Sequence, residues 1–254
     1  DLVDILVGTR GKSSVLSLVE EYIRSNKTRD FKHNVIKSGE ENKDWAYDSG
    51  EVNAGGGKNR ANIKIQDGCD QFCTYCIIPF VRGRIRSRDM EGIVEETDRL
   101  VKAGFREMVL TGIHIGSYGR DIDDESRMLE LLNRLNEVEG DFRIRLGSVE
   151  PRLITEEFLE GLVKLKKVCP HFHLSLQSGS TTVLKRMNRH YSAEEYLNSV
   201  KLLKKYYDRP GITTDIIVGF PGETEEDFED TLDVVKEVRY QSAYMFEYSK
   251  RTGT

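Results

Sequence analysis

The sequence predicts an α/β fold, namely a partial (βα)6 barrel of the TIM-like type with a parallel sheet and helices outside it. Three observations support this prediction. Six apolar segments of strand length alternate with segments of helical periodicity. Glycine or a polar turn separates most of these segments. Alternation of this kind favours a parallel sheet with right-handed crossovers, and six units are fewer than the eight of a closed barrel.

The elements follow one another from residue 61 onwards. Thr155 and Ser192 stand where helix N-caps are expected, and Gly104 and Gly140 stand at two helix ends. The predicted strands are residues 61–68, 107–116, 142–149, 171–177, 212–220 and 240–249. The predicted helices between them are residues 90–104, 125–140, 155–167, 192–207 and 225–238.

The chain is expected to contain three regions. Residues 1–26 combine a short apolar strand with a helix and are interpreted as the C-terminal tail of a preceding domain. Residues 27–60 are polar and are predicted to form a linker or an irregular arm. Residues 61–254 form the main domain. Because the chain starts without methionine, we expect it to be part of a longer protein.

The composition excludes several classes of protein. The chain has 254 residues, 38% of them hydrophobic, and a formal net charge of -5. No apolar run reaches the roughly 18 residues of a membrane helix, and the N-terminus lacks a signal-peptide pattern, so no membrane partner is expected. Four cysteines are too few for a disulfide scaffold, which favours a reducing, cytoplasmic location. The net charge indicates no general affinity for nucleic acid, although local patches decide such binding.

The segment CDQFCTYC holds Cys69, Cys73 and Cys76 directly after the first predicted strand. A structural zinc site needs a fourth ligand, which here would have to be Cys169 or a distant histidine such as His114. A disulfide would leave one of the three cysteines unpaired. A [4Fe–4S] cluster held by three thiolates leaves one iron without a protein ligand and free to bind a small molecule. The zinc alternative corresponds to a non-catalytic RNA-binding module.

The cysteine spacing, with the aromatic Tyr75 just before the last cysteine, resembles that of the radical S-adenosylmethionine superfamily. In that family the methionyl amino and carboxylate groups of the cofactor chelate the open iron. An electron from the cluster cleaves the sulfonium C–S bond and yields a 5′-deoxyadenosyl radical. The resemblance implies a [4Fe–4S] cluster and S-adenosylmethionine as cofactors. Cys169 is expected at the opposite edge of the sheet as a small buried residue.

Other segments at the carboxyl ends of the strands are candidates for the cofactor pocket. Gly112 lies where bare backbone would approach the methionyl amino group, or where a left-handed turn needs glycine. Ser148 and Gln177 are polar groups at the same mouth. Arg186 is a candidate partner of the cofactor carboxylate, or else a solvated surface charge. With Tyr75, these four residues are the predicted S-adenosylmethionine contacts.

An arginine run, VRGRIRSR, follows the cysteines. In an extended segment, Arg82, Arg84, Arg86 and Arg88 would all project to one side. Guanidinium groups suit phosphate recognition, so the run is a candidate for contact with an RNA backbone. The alternatives are a solvated charge run or salt bridges to acidic helices.

Longer motifs resemble one family within the superfamily, the radical S-adenosylmethionine methylthiotransferases. These motifs are DGCDQFCTYCIIPFVRGRIRSR, LTGIHIGSYGRD, PHFHLSLQSGS, LKRMNRHY, DIIVGFPGET and YSKRTGT, and they cover about residues 61–254. GIHIGSYGRD looks most like the subgroup that adds a methylthio group to C2 of N6-threonylcarbamoyladenosine at position 37 of tRNA. Sister groups act on isopentenyladenosine in tRNA or on an aspartate of a ribosomal protein.

The resemblance implies an enzyme that acts on the anticodon loop of tRNA and receives electrons from an external donor such as a flavodoxin. Members of the family carry an N-terminal domain with a second [4Fe–4S] cluster, which receives the methyl group and supplies the sulfur. A small RNA-binding β-domain follows at the C-terminus. Neither domain is expected within this chain, which by itself should not complete sulfur insertion. The sequence does not predict an oligomeric state.

Overall fold

The computed structural model describes residues 5, 7, 15–24, 59–123 and 127–254. Nearly all of the predicted linker and most of the predicted N-terminal tail lie outside these ranges, so the division into three regions stays a prediction. The described part of the tail is a helix, α1 (Val15–Arg24), where a helix was expected. Within the described ranges, none of the helices has the length and hydrophobicity needed to span a bilayer.

The strands follow the predicted order. They are β1 (Arg60–Lys64), β2 (Gln66–Asp67), β3 (Arg86–Ser87), β4 (Glu107–Thr111), β5 (Arg143–Leu146), β6 (Ser148–Val149), β7 (His171–Leu174), β8 (Gly211–Val218) and β9 (Ser242–Glu247). The orders β1-β4-β5 and β6-β7-β8-β9 are parallel throughout, and only Gly147 separates β5 from β6. Six parallel strands therefore succeed one another along the chain, and the predicted partial (βα)6 barrel is confirmed. β2 and β3, which are far apart in the chain, form a separate antiparallel pair.

Local sequence signals explain where the helices begin and end. The hydroxyl of Thr155 accepts the N–H of Phe158 at 3.1 Å, and Ser192 forms a reciprocal capping box with Glu195. Gly104 follows the third helix with a φ of +97°. The remaining helices are α2 (Ile78–Arg82), α3 (Met90–Lys102), α4 (Arg120–Asp123), α5 (Met128–Glu137), α6 (Glu156–Leu162), α7 (Thr181–Arg186), α8 (Ala193–Tyr206) and α9 (Glu225–Val238).

The two faces of the sheet differ in polarity. On β7, Phe172 and Leu174 are fully buried, and the Phe172 ring lies 5.4 Å from that of Tyr207 at the end of α8. His171 and His173 occupy the alternate positions of β7 and therefore share the opposite face, which is the inside of the barrel. The carboxyl ends of the strands form the upper edge of the barrel, and their amino ends form the lower edge. In such folds the active-site residues lie at the upper edge.

Candidate active site

The cysteine loop, residues 68–77, starts at the upper edge, directly after strand β2 of the antiparallel β2–β3 pair. Gly68 opens it with a φ of +70°, and a Cβ there would lie 1.8 Å from the carbonyl oxygen of Arg84. The N–H of Cys69 donates to the carbonyl of Gly83 at 3.1 Å. The start of the loop is therefore packed against the segment that returns to β3, and only glycine fits at this point.

Three cysteine thiols lie on this loop, and none of them forms a disulfide. Cys69 and Cys73 are buried, whereas Cys76 is partly exposed. The backbone N–H of Gln71 donates to Cys69 Sγ at 3.4 Å. Burial raises the pKa of the Cys69 thiol to about 11, with a further contribution from the neighbouring thiolates and an opposing one from Gln71. The thiols thus lie close together in a poorly solvated place, where their deprotonated forms need positive charge nearby.

A cluster and a single metal ion place different demands on the ligands of this loop. Among the described residues, no three Cys, His, Asp or Glu side chains converge on a point that one ion would occupy. A structural zinc site needs four converging ligands, whereas a cubane cluster offers each thiolate an iron of its own. Cys169 lies at the lower edge, with its N–H bonded to the carbonyl of Ile144 at 2.8 Å. Cys169 is therefore too far along the strands to be the fourth ligand that the zinc-stabilised alternative needs.

The inward-facing histidines do not add metal ligands either. The two ring nitrogens of His173 lie 3.0 Å from Thr213 Oγ1 and 3.0 Å from Asp215 Oδ2. Burial lowers the pKa of His171, and its Nδ1 is buried without a hydrogen-bond partner among the described residues. These contacts indicate a structural role for His173.

A short segment at the C-terminal end of α7, residues 186–189, holds the cysteine loop and is called the clamp segment below. The N–H and the hydroxyl of Thr74 donate to two carbonyl groups of the clamp segment, at 3.0 and 2.9 Å. The side-chain amide of Asn188 donates to the carbonyls of Gln71 and Phe72, at 3.2 and 3.0 Å. Phe72 has a φ of +50°, a costly conformation that these bonds help to fix. The loop is therefore shaped by its protein neighbours.

The last residue of the clamp segment contacts a cysteine directly. Arg189 Nη1 donates to Cys73 Sγ at 3.3 Å, and its Nε donates to the hydroxyl of Tyr191 at 3.0 Å. The guanidinium also stacks 4.8 Å from the Tyr191 ring centre. Burial alone would lower the pKa of Arg189, but the neighbouring phenol and thiol groups raise it. The sequence analysis did not select Arg189, although LKRMNRHY was among the motifs of the resemblance.

The predicted cofactor contact Tyr75 belongs to an aromatic cluster beside the loop. Its ring packs edge-on against Phe220 with centroids 6.4 Å apart, and Phe220 packs against Tyr248 at 5.2 Å. Burial raises the pKa of Tyr75, which keeps the phenol neutral. The cluster connects the cysteine loop to the segments that follow β8 and β9, and it forms an apolar wall at the upper edge.

Gly112 and Ser148 lie at the ends of neighbouring strands. A Cβ on Gly112 would lie 2.9 Å from Ile115 and 3.0 Å from Gln66, so close packing explains the glycine. Its φ is not positive, which excludes the left-handed turn considered for it. Ser148 is exposed on β6 in register with His173, and therefore faces the inside of the barrel. Cofactor contact by either residue stays a prediction.

Gln177 and Arg186 have structural contacts that the sequence did not indicate. Gln177 adopts a φ of +68°, and its backbone exchanges hydrogen bonds of 2.8 Å with Asp215 and Ile217, which extends the pairing of β7 with β8. Arg186 donates its guanidinium to the carbonyl of Gly222, in the turn before α9. This contact ties the clamp segment to the turn. For both residues, contact with the cofactor stays a prediction.

The arginine run is not one extended segment, which corrects the expectation that all four side chains project to one side. α2 ends at Arg82, a turn carries Arg84, and β3 begins at Arg86. Arg82 and Arg86 both pair with Asp67, at 3.2 and 3.6 Å. Arg84 pairs with Asp70 at 3.4 Å, but 73% of its side chain is exposed. Arg84 is therefore the most exposed of these three arginines, and RNA contact by any of them stays a prediction.

Arg88 has a role inside the fold, which contradicts its selection as an RNA contact. Its guanidinium is buried and pairs with Glu96 on α3, also buried, and it donates to the carbonyl of Gly92 at 3.1 Å. Its own carbonyl accepts the hydroxyl of Tyr118 at 2.9 Å. An RNA phosphate could bind Arg88 only if the buried pair with Glu96 opened. The role of Arg88 is therefore to connect the end of β3 to α3.

A polar network beside the loop was not predicted as a unit. His114 Nε2 lies 2.8 Å from Glu150 Oε2, and Arg152 Nε donates to the other carboxylate oxygen at 3.0 Å. Arg152 also reaches Gln71 Oε1 of the cysteine loop at 3.2 Å. Burial alone would raise the pKa of Glu150, but the hydrogen bonds of His114 and Arg152 lower it to about 2. Glu150 is therefore a carboxylate at neutral pH and supports the loop through Arg152.

Comparison with curated proteins identifies relatives along nearly the whole chain. The chain is 43% identical to a threonylcarbamoyladenosine tRNA methylthiotransferase of Bacillus subtilis (strain 168), over 99% of this chain and 54% of the relative. It is 50% identical to a tRNA-2-methylthio-N(6)-dimethylallyladenosine synthase of Clostridium tetani (strain Massachusetts / E88), over 77% of this chain and 43% of the relative. The chain thus spans about half the length of these curated relatives.

Solved structures with a similar fold come from more distant enzymes. A radical S-adenosylmethionine methyltransferase from Kitasatospora setae superimposes with a TM-score of 0.60 at 18% identity, over 74% of this chain and 35% of that one. Coproporphyrinogen III oxidase from Escherichia coli gives 0.54 at 18% identity, over 75% and 43%. Identities this low support the fold alone. Residues 63–235, more than half of the chain, match the family model of the radical SAM superfamily, and the protein therefore belongs to that superfamily.

Proposed function

We propose that this chain is the radical-generating domain of a tRNA methylthiotransferase that modifies C2 of N6-threonylcarbamoyladenosine 37. The observation that carries the proposal is the preformed cysteine loop, in which three free thiols lie at the upper edge of the barrel and two of them accept N–H donors. The relative from Bacillus subtilis, which is named a threonylcarbamoyladenosine tRNA methylthiotransferase, is similar over 99% of this chain. Because the chain spans about half of that relative, the activity of the whole protein is part of the proposal.

The residues of the loop have defined parts in this proposal. Cys69, Cys73 and Cys76 would hold a [4Fe–4S] cluster whose fourth iron is open to S-adenosylmethionine. When bound, the two cofactors supply a 5′-deoxyadenosyl radical that removes the adenine C2 hydrogen. The clamp segment keeps the loop in shape, and the aromatic cluster of Tyr75 forms an apolar wall beside it.

The partners in the proposal follow from the same chemistry. The substrate would be the anticodon loop of tRNA, and the exposed Arg84 offers a phosphate contact close to the cysteines. An external one-electron donor such as a flavodoxin would reduce the cluster. Free thiols on the loop agree with a reducing, cytoplasmic location. Sulfur insertion would need the parts of the protein that the relatives have beyond this chain.

A second substrate deserves a test because of one specific observation. The relative named as a dimethylallyladenosine synthase is 50% identical to this chain over 195 residues, a higher identity over a shorter stretch than the first relative. Dimethylallyladenosine carries an apolar group where threonylcarbamoyladenosine carries a carboxylate. The two substrates therefore demand opposite pocket chemistry, and binding experiments will separate them.

The test measures 5′-deoxyadenosine production by the chain after anaerobic reconstitution with iron and sulfide. S-adenosylmethionine and a chemical reductant are added together with one of three anticodon stem-loop RNAs. The RNAs differ only at position 37, which carries threonylcarbamoyladenosine, dimethylallyladenosine or unmodified adenosine. The threonylcarbamoyl RNA is expected to bind most tightly and to change the rate of 5′-deoxyadenosine formation most.

Three outcomes are distinct. Production of 5′-deoxyadenosine with a preference for the threonylcarbamoyl RNA supports the proposal in full. Production with a preference for the dimethylallyl RNA replaces the first substrate by the second. An iron-loaded chain that forms no 5′-deoxyadenosine under any of these conditions contradicts the proposed function itself.

A further inference from the structure

We propose that Arg189 sets the reduction potential of the cluster on the cysteine loop, because it hydrogen bonds Cys73 and balances the negative charge of the ligated cluster. Arg189 is in this view a positioning residue, since its guanidinium acts on the cluster through the sulfur of a ligand. The inference rests on the cluster of the proposed function, and it adds a residue that lies outside the predicted set of ligands and cofactor contacts.

The guanidinium is held rigidly in its place. Its Nε bonds to the hydroxyl of Tyr191 at 3.0 Å, and its plane stacks 4.8 Å from the ring of the same residue. Tyr191 is 4% exposed, and its hydroxyl is fixed by the carbonyls of Ser175 and Leu176 at 2.7 and 3.0 Å. These contacts orient Nη1 towards Cys73 Sγ before any cluster binds. A donor oriented in advance needs little reorganisation when the charge on the sulfur changes.

The charge around Arg189 is unusual for a partly buried arginine. Arg88, a buried arginine of the same edge, is paired with the carboxylate of Glu96. In the part of the chain that the structure describes, the polar partners of the Arg189 guanidinium are the Tyr191 hydroxyl and the Cys73 sulfur, neither of them a carboxylate. A partly buried cation without a neighbouring anion loses part of its hydration, so the site favours a negative group beside Cys73.

A cluster on three thiolates supplies that negative group. The three thiolates outweigh the positive charge of the cubane core, and one-electron reduction adds a further negative charge. A fixed cation and a hydrogen bond to sulfur both favour the reduced form and raise the potential. The clamp segment shapes the loop, and through Arg189 it would also make the cluster easier to reduce.

The experiment is a redox titration followed by electron paramagnetic resonance on the reconstituted chain, without S-adenosylmethionine. R189Q removes the charge, and R189K keeps the charge but loses the planar guanidinium. We expect R189Q to lower the ratio of reduced to oxidised cluster at a fixed potential at least about tenfold, which is about 59 mV for one electron. R189K is expected to lie between R189Q and the wild type.

The matched control is K185Q, which removes an exposed positive charge from α7, four residues earlier in the chain. We expect it to change the ratio less than about twofold, since exposed charges are screened. If R189Q matches K185Q, the inference is overturned. Should R189Q fail to take up iron, Y191F decides, because it removes the hydroxyl that holds Arg189 Nε. A potential of Y191F equal to that of the wild type would then contradict the inference.

The failure of the inference and the failure of the proposed function have different signatures. A wild-type chain that takes up no iron and sulfide contradicts the cluster on which both rest. A wild-type chain with a reducible cluster, whose potential is indifferent to Arg189, overturns the inference alone and leaves the proposed function standing.

Discussion

Both edges of the barrel carry arginines that contact a buried residue, but the charges of these arginines are balanced in different ways. At the lower edge, Glu107 is 4% exposed and accepts Arg60 at 2.7 Å, Arg143 at 2.5 Å and Arg145 at 3.0 Å. Burial alone would raise the pKa of Glu107, but these guanidinium groups lower it. At the upper edge, Arg189 faces a cysteine sulfur and has no carboxylate among its described partners.

This difference in charge balance indicates a structural role for the lower edge and a ligand-binding role for the upper edge. At the lower edge, a single carboxylate within the fold pairs with three guanidinium groups, and two of these three are mostly exposed to solvent. At the upper edge, a partly buried cation has no carboxylate among its described partners, two of the three loop thiols are buried, and protein contacts already fix the conformation of the loop. An edge that is electrostatically incomplete in the folded chain is where a charged ligand gains most by binding. Four changes would break or sharpen this comparison.

The largest effect is expected when equivalent cysteine changes are made at the two edges. C73S at the upper edge should remove a ligand that also accepts Arg189, whereas C169S changes a cysteine at the lower edge. We expect C73S to lose most of its bound iron and to form 5′-deoxyadenosine at least about 100-fold more slowly, since three thiolates are needed. C169S should match the wild type in both measurements. Equal losses in both variants would contradict the assignment of the edges.

The next largest effect is expected for E150Q, which should lower the free energy of unfolding by an amount that depends on pH. The folded pKa of about 2 lies below the ordinary value of 4.5, so the carboxylate stabilises the fold above the unfolded pKa. That contribution is lost as the pH falls from about 5 towards 2. E150Q should therefore cost up to about 3 kcal/mol at neutral pH and progressively less in acid. Urea unfolding of the reduced, metal-free chain at several pH values measures it, and a difference independent of pH would refute the explanation.

A smaller loss of stability is expected at the lower edge. E107Q leaves three guanidinium groups facing a neutral amide. Because Arg60 and Arg143 are mostly exposed, we expect about 2 kcal/mol rather than the roughly 3–5 kcal/mol of a fully buried pair. The rate of 5′-deoxyadenosine formation per bound cluster should stay unchanged. A cluster potential that shifts in E107Q would show that the two edges are coupled.

The smallest effect concerns Arg84. Its pair with Asp70 is exposed, so R84A should change stability by less than about 0.5 kcal/mol. The salt dependence of anticodon stem-loop binding should become less steep, with a slope lower by about 1. K236A, which removes an exposed charge from α9, is the control and should leave that slope unchanged. Equal slopes for R84A and K236A would remove Arg84 from the proposed RNA surface.

The sequence predicted the elements of the fold well because their signals are local. Thr155 and Ser192 cap the helices at which they were expected, since a cap depends on residues three positions away. The cysteine spacing and the position of the loop after the first strand are local patterns as well. The strand order follows from strict alternation of strands and helices, which leaves few possible topologies.

The contacts around the loop were not predictable in the same way. Arg189 and Cys73 are separated by 116 residues, and Arg152 and Gln71 by 81. Only the tertiary fold brings such pairs together, and a single sequence holds no record of their distance. Arg88 shows the converse case, because its place in an alternating arginine run concealed the buried pair with Glu96 on α3.

The central claim is that the upper edge holds a cluster with one iron open to S-adenosylmethionine. The most direct measurement is the electron paramagnetic resonance spectrum of the anaerobically reconstituted and reduced chain, with and without S-adenosylmethionine. The account predicts the signal of a reduced [4Fe–4S] cluster that changes when the cofactor is added. A chain that takes up no iron but binds zinc tightly through Cys69, Cys73 and Cys76 would contradict the account.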